Sequence, residues 1–254
     1  ALVRLHWALG VFYFDLDEIE SSRNHYNRSS SYISNETDLS LIADVKLGLA
    51  GVYKKQSQIQ KATKLVNEVL EISIKGGVWM TEARAYFELG DFQLLLGNKL
   101  KAYELINESY IVRKRYNAEP AMVTSLIALA EISLDVADYN DAEDLLQKSI
   151  IISTQRNLKP KLAKAYLLLS KIEEAKKNFK LSYTYLKKNQ VLESEIRDIQ
   201  QSERNKFLQL NYKAKKAQKE SRSQRLINSE LEESLTKEKE LNELKSHFVA
   251  TASH

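Results

Sequence analysis

Cysteine is absent from all 254 residues, which removes disulfides, thiolate metal sites and cysteine nucleophiles together. Turn-formers are nearly as scarce: 7 Gly and 2 Pro are too few for a many-stranded fold, so the expected class is all-α. No stretch approaches the roughly 18 consecutive apolar residues that a spanning helix needs. Arg4 and His6 interrupt the apolar opening from Ala1 to Gly10, so neither a membrane span nor a secretory leader is visible. An excess of one charge is missing too, since 38 Lys and Arg face 34 Asp and Glu for a net +4. That balance is too mild to argue for nucleic acid. What remains is 43% apolar and 28% charged residues, the composition of a globular chain of one or two domains.

Against this background one pattern stands out. A Leu followed by a small residue recurs at Leu9-Gly10, Leu49-Ala50, Leu89-Gly90, Leu129-Ala130 and Leu169-Ser170, always forty residues on. Twelve positions beyond each small residue comes a second one: Ser22, Ala62, Ala102, Ala142 and Ser182. Four further on stands a larger residue, Tyr26, Val66, Ile106, Leu146 or Leu186. Two antiparallel helices cross closely only where both present little more than a methyl group, so the small residues mark a crossing. The larger residue shares their face at i+4 and fills the space beside the contact. Each unit is therefore a helical hairpin, and stacked hairpins share one continuous core.

These residues resemble the tetratricopeptide repeat, whose signature places Leu-Gly, then Tyr, then Ala and an aromatic, then Pro before the next unit. Tyr13 and Tyr53 match its tyrosine, whereas Gln93, Ser133 and Glu173 depart from it. Pro120 and Pro160 fall where the family places proline and where a helix start tolerates it. The period of forty instead of thirty-four adds about one and a half helical turns per unit. The resemblance covers about residues 1–190 and implies a solenoid of about five hairpins that binds a peptide or protein along the concave face of its first helices. By register that face includes Asp44, Lys54, Arg84, Asp91, Glu131, Lys164 and Lys171. His6, His25 and His247 look scattered, and no metal site is expected. Trp7 and Trp79 read as packing residues.

From Val191 onward there is neither Pro nor Gly, and favourable helix formers dominate. A helix of this length finds no core of its own, so a second helix is its natural partner. Phe207, Leu210, Ala214 and Ala217, then Leu241, Leu244, Phe248 and Thr251, keep the three-four spacing of a coiled-coil seam. Ser221, Gln224 and Asn228 weaken it between the two stretches. This organisation gives three segments: a repeat sensor domain over 1–190, a coiled-coil signalling helix over 191–240, and a terminal segment over 241–254. A basic run, from Lys206 through Lys213, Lys215, Lys216, Lys219 and Arg222 to Arg225, reads as a solvated helix face.

The terminal segment carries the second resemblance. Lys245, Ser246, Phe248, Ala250, Ser253 and His254 match the dimerisation and phosphoacceptor motif of sensor histidine kinases. The resemblance implies that His254 accepts the terminal phosphate of ATP, with proton-transfer help from the residue after it. It also implies a separate domain holding ATP and magnesium, phosphotransfer to a response regulator, a homodimer through the C-terminal helix and a cytoplasmic location. This chain contains no ATP-binding domain, so no cofactor is expected within it. Two non-kinase readings stand beside it: an adaptor that dimerises through a coiled coil, and a peptide-sensing regulator that binds response regulators directly.

Overall fold

The computed structural model describes residues 1–34 and 37–252, without the side chains of 217, 226 and 240–252. Ten α-helices and no strand occur among the described residues. They are α1 (Leu2–Asp15), α2 (Ile19–Ser31), α3 (Leu39–Lys55), α4 (Ile59–Gly76), α5 (Trp79–Leu95), α6 (Lys99–Arg115), α7 (Glu119–Asp135), α8 (Tyr139–Gln155), α9 (Lys159–Ala175) and α10 (Phe179–Ala252). From α3 onward each helix starts twenty residues after the last, so the forty-residue period is a hairpin of two nearly equal helices. Pro120 and Pro160 sit in the first turns of α7 and α9, where a missing N–H costs nothing.

The turns explain how so few glycines suffice. Inside the hairpins Asp17, Ser57, Gly97, Ala137 and Lys177 take positive φ, from 59° to 80°. Between hairpins Gly77, Asn117 and Asn157 do the same. Each such residue closes a helix in a Schellman arrangement, in which the next N–H returns to a carbonyl five residues back. Examples are Gln58 N to Tyr53 O at 2.8 Å and Asp138 N to Ser133 O at 2.8 Å. The donating residue is also the N-cap of the next helix, so three residues reverse the chain.

The small residues lie at the crossings. Ala62, Ala102 and Ala142 are fully buried, as are Ser22 and, almost fully, Ala50 and Ala130. At Gly90 a Cβ would stand 3.1 Å from the Ala102 carbonyl oxygen, which measures how closely α5 and α6 approach. Apolar clusters run from α1 through α9 without a break in kind, one spanning α1 to α3, one α3 to α5 and one α6 to α9. In the last hairpin Ser182 and Leu186 are only half-buried, because no further hairpin covers them.

The first helix shows what a neighbouring hairpin contributes. Leu5 and Phe12 are 54% and 55% exposed. Their counterparts at forty-residue intervals, Val45, Ala85, Ser125 and Ala165 and Val52, Phe92, Ile132 and Ile172, are buried. The chain divides into two units, Ala1–Ser194 and a second that begins at Glu195. The first is the repeat array. The second is the remainder of α10, whose Phe207, Leu208, Leu210, Tyr212, Ile227, Leu231 and Leu235 are exposed. No helix among the described residues is long and apolar enough to cross a membrane.

Candidate functional site

Successive first helices touch one another, α1 with α3, α3 with α5 and α7 with α9, whereas second helices make no comparable contact among the described residues. The first-helix side is therefore the inner side of the array. All seven charged residues assigned to that side by register lie on α3, α5, α7 or α9, and six of them pair with each other. Arg84 Nη1 stands 3.4 Å from Asp44 Oδ1, Lys164 Nζ 2.6 Å from Glu131 Oε1, and Lys54 meets Asp91. These pairs tie α3 to α5 and α7 to α9. Lys171 is exposed and makes no ion pair among the described residues. Burial raises the Asp44 carboxyl above its ordinary value, and the Arg84 charge only partly offsets this.

At the N-terminal end of this side lies a groove of about 640 Å³ between α1, α3 and α5, with Phe14, Asp15, Lys54, Arg84 and Glu88 among its walls. Gly48 and Gly51, which bring no side chain, also line it. Tyr26 enters from α2, 3% exposed. Its ring lies against Gly10, where a Cβ would come within 2.7 Å, and against Gly48, where a Cβ would come within 2.8 Å of the hydroxyl oxygen. Later units place Val66, Ile106 and Leu146 at this position, and Glu88, Ala128 and Leu168 opposite in place of Gly48. A larger residue on α2 is thus matched by a missing side chain on α3, and the extra reach brings a phenol to the groove. Burial pushes its pKa up to about 12, so the phenol keeps its proton. No hydrogen-bond partner for it occurs among the described residues.

Two other polar groups, the half-buried Tyr103 and the buried Arg113, show the contrast. Tyr103, also pushed up to about 12 by burial, donates to Asp141 Oδ2 at 2.9 Å, and Ser133 Oγ donates to the same oxygen at 2.6 Å. Arg113, lowered to about 10 by burial, donates to the Ala121 carbonyl at 2.9 Å and Ser125 Oγ at 2.8 Å and lies over the Phe87 ring. Both are satisfied inside the fold and serve packing. The Tyr26 hydroxyl is free to donate outward.

One sequence reading needs correction. His6 and His25 are not scattered, because the α1–α2 hairpin brings their Nδ1 atoms to 3.0 Å. Residues in a hairpin reflect about its turn, so Ser22 Oγ donates to the Gly10 carbonyl and Ser29 Oγ to that of Val3. The same reflection carries His6 to His25, and knowledge of the turn position would have found the pair. No group of three or more potential metal ligands occurs among the described residues. Trp79 stacks on Tyr116 at 4.7 Å. His254 lies outside the described residues, as do the side chains of Leu241, Leu244, Phe248 and Thr251.

Comparison with known proteins bears on the fold. No protein-family model matches the chain, and no curated protein is similar in sequence. Among solved structures, BtubC from P. vanneervenii aligns at TM-score 0.67 and 15% identity over 77% of this chain and 81% of that one. The nearly identical TPR-like repeats of a Podosopora anserina kinesin light chain align at 0.62 and 16% identity over 77% and 98%. Aspartyl phosphate phosphatase F from Bacillus subtilis aligns at 0.59 and 11% identity over 75% and 59%. At such identities the likeness is one of architecture: residues 1–194 form a tetratricopeptide-like array of helical hairpins.

Proposed function

We propose that the chain is a protein-docking regulatory module in which the groove between α1, α3 and α5 takes an extended segment of a partner protein. The observation that carries this reading is the Tyr26 hydroxyl, protonated, without a hydrogen-bond partner among the described residues, and presented by an otherwise buried ring to the groove beside Gly48 and Gly51. A peptide carbonyl is the acceptor such a donor suits, since it brings no charge into a half-buried place. The flanking pairs Arg84–Asp44 and Lys54–Asp91 offer both signs to the segment's side chains. In this reading the exposed apolar residues of the second unit support pairing of α10 with that of a second copy.

The test is a peptide array probed with the full chain and with Gly51→Gln. A Cβ at Gly51 would lie 3.5 Å from the Phe14 ring, an ordinary contact, so this variant fills the groove without disturbing the helix. Binding lost in Gly51→Gln supports the groove. Binding retained there, or no binding by the parent chain, refutes it.

A second reading rests on the terminal motif ending in Ser253 and His254. In it the module is the sensor region of a histidine kinase, and occupancy of the groove sets access of His254 to an ATP- and magnesium-holding domain supplied elsewhere, with a response regulator as phosphate recipient. Neutral imidazole, the majority form of an unperturbed histidine at pH 7, supplies the attacking lone pair. Incubation of a protein carrying that domain with radiolabelled ATP and magnesium should give an acid-labile, base-stable phosphate that His254→Gln abolishes. Label persisting in the variant removes this reading and leaves the docking module.

A further inference from the structure

The His6–His25 contact has a geometry that restricts its protonation. The ring centroids are 5.3 Å apart and the planes 28° from parallel, while the two Nδ1 atoms are 3.0 Å apart. The centroid separation exceeds the nitrogen separation by about the sum of two ring radii, so the rings meet edge to edge with nitrogens in line. Two lone pairs facing each other would repel, so a proton lies between them, one Nδ1–H donating to the other Nδ1. This in-line arrangement differs from a metal chelate, where two lone pairs converge on a third point. No third ligand stands beside the pair among the described residues.

A first additional proton leaves the bond intact, because a cationic ring still donates from Nδ1 to its neutral neighbour. A second places N–H against N–H, with two like charges at hydrogen-bond distance and no acceptor between them. Among the described residues no acidic group offsets this at His25. On α1, Tyr13 stacks on His25 at 5.2 Å, and at the end of α2, Tyr32 stacks on His6 at 5.6 Å. On α2, Arg28 adds positive potential at His25.

The chain neighbour of His25 is Tyr26, whose ring is held between Gly10 of α1 and Gly48 of α3. Separation of α1 from α2 at His25 therefore frees the residue that presents its hydroxyl to the groove. We propose that the His6–His25 pair is a proton-operated latch, whose double protonation in mildly acidic solution opens the first hairpin and releases Tyr26 from the groove. The consequence for a bound segment rests on the docking reading above; the latch itself does not.

The sign follows from linkage. Burial, then His6, then Arg28 hold the His25 pKa below its ordinary 6.5 in the closed hairpin. The opened state therefore binds more protons, and opening grows as pH falls through 6.5 toward the lowered value. Uptake of one proton raises the opening equilibrium by up to about tenfold per pH unit.

The repeat register supplies a control that preserves the fold, since three of the four counterparts of His25 are leucines, Leu65, Leu105 and Leu145, the fourth being Tyr185. Hydrogen exchange of the full chain, without ligand, is measured at pH 7.5 and 5.0 with correction for intrinsic rates. Protection of α1 and α2 amides should fall about tenfold more than that of α7 and α8, and His25→Leu should erase the difference. Equal losses in the two hairpins, or an undiminished difference in His25→Leu, would overturn the latch. Peptide binding that fails at both pH values with this exchange pattern intact would count against the docking reading alone.

Discussion

Phe12 and Phe92 occupy the same place in the repeat, two units apart, and offer a direct measure of what a neighbouring hairpin contributes. Phe92 is 1% exposed in the cluster of α3 to α5, whereas Phe12 is 55% exposed on the outer face of α1. Truncating a fully buried Phe to Ala costs about 3 to 5 kcal/mol, because a cavity is left as well as burial lost. At Phe12 no closed cavity forms. Complete burial of such a side chain is worth about 1.5 to 3 kcal/mol, so the covered part of Phe12 contributes about 1 kcal/mol. In a unit of nearly two hundred residues, 1 kcal/mol moves the melting midpoint by about 2 to 4 °C. Phe92→Ala should therefore lower it by about 6 °C or more and Phe12→Ala by about 4 °C or less. Because stacked repeats can open piecewise, hydrogen exchange should accompany the melts, with Phe92→Ala loosening α3 to α6 and Phe12→Ala only α1. Equal losses from the two substitutions would refute the reasoning, since the register would then not decide burial.

Ala142→Leu should overfill the fully buried α7–α8 crossing and cost about 1 to 3 kcal/mol, read as a shift in denaturant midpoint at constant slope. Ala137 holds φ 61° without the freedom of glycine, so Ala137→Gly should stabilise the chain by about 0.5 to 1 kcal/mol, and a loss of stability would contradict the turn geometry. Gly48→Ala should destabilise the array because its Cβ collides with the Tyr26 ring, while the double change with Tyr26→Leu, the residue of Leu146, should recover most of the loss. Failure of the double variant to recover would separate Tyr26 from Gly48.

Much of the array was legible because its grammar is carried by volume. A methyl group at a helix crossing cannot be replaced without cost, and so Ala62, Ala102 and Ala142 repeat where larger residues cannot stand. The turns were harder to read. Asp17, Ser57, Ala137 and Lys177 adopt the left-handed conformation with ordinary side chains, and the returning backbone hydrogen bonds offset its cost. A search for Gly or Asn finds Gly77, Gly97, Asn117 and Asn157 and misses the rest. Without the turn the reflection within a hairpin cannot be drawn, and His6 stays apart from His25. Tyr26 was visible as the odd member of a series of Val, Ile and Leu, but only Gly48, on another helix, says where its hydroxyl goes.

The charged face and the phenol differ in what they bring to a partner. Arg84 with Asp44, Lys54 with Asp91, and Lys164 with Glu131 are partly exposed pairs, and pairs of that kind contribute about 0 to 1 kcal/mol each. A segment entering the groove can exchange one partner for its own carboxylate or ammonium at little cost, which makes this face permissive. The Tyr26 hydroxyl has no internal partner to give up. An acceptor at that point takes the place of solvent, and a segment that buries the hydroxyl without supplying one leaves a donor unsatisfied, at about 1 to 3 kcal/mol. Selectivity of the groove therefore rests on one uncharged donor set by a glycine, while the charges around it tolerate many sequences.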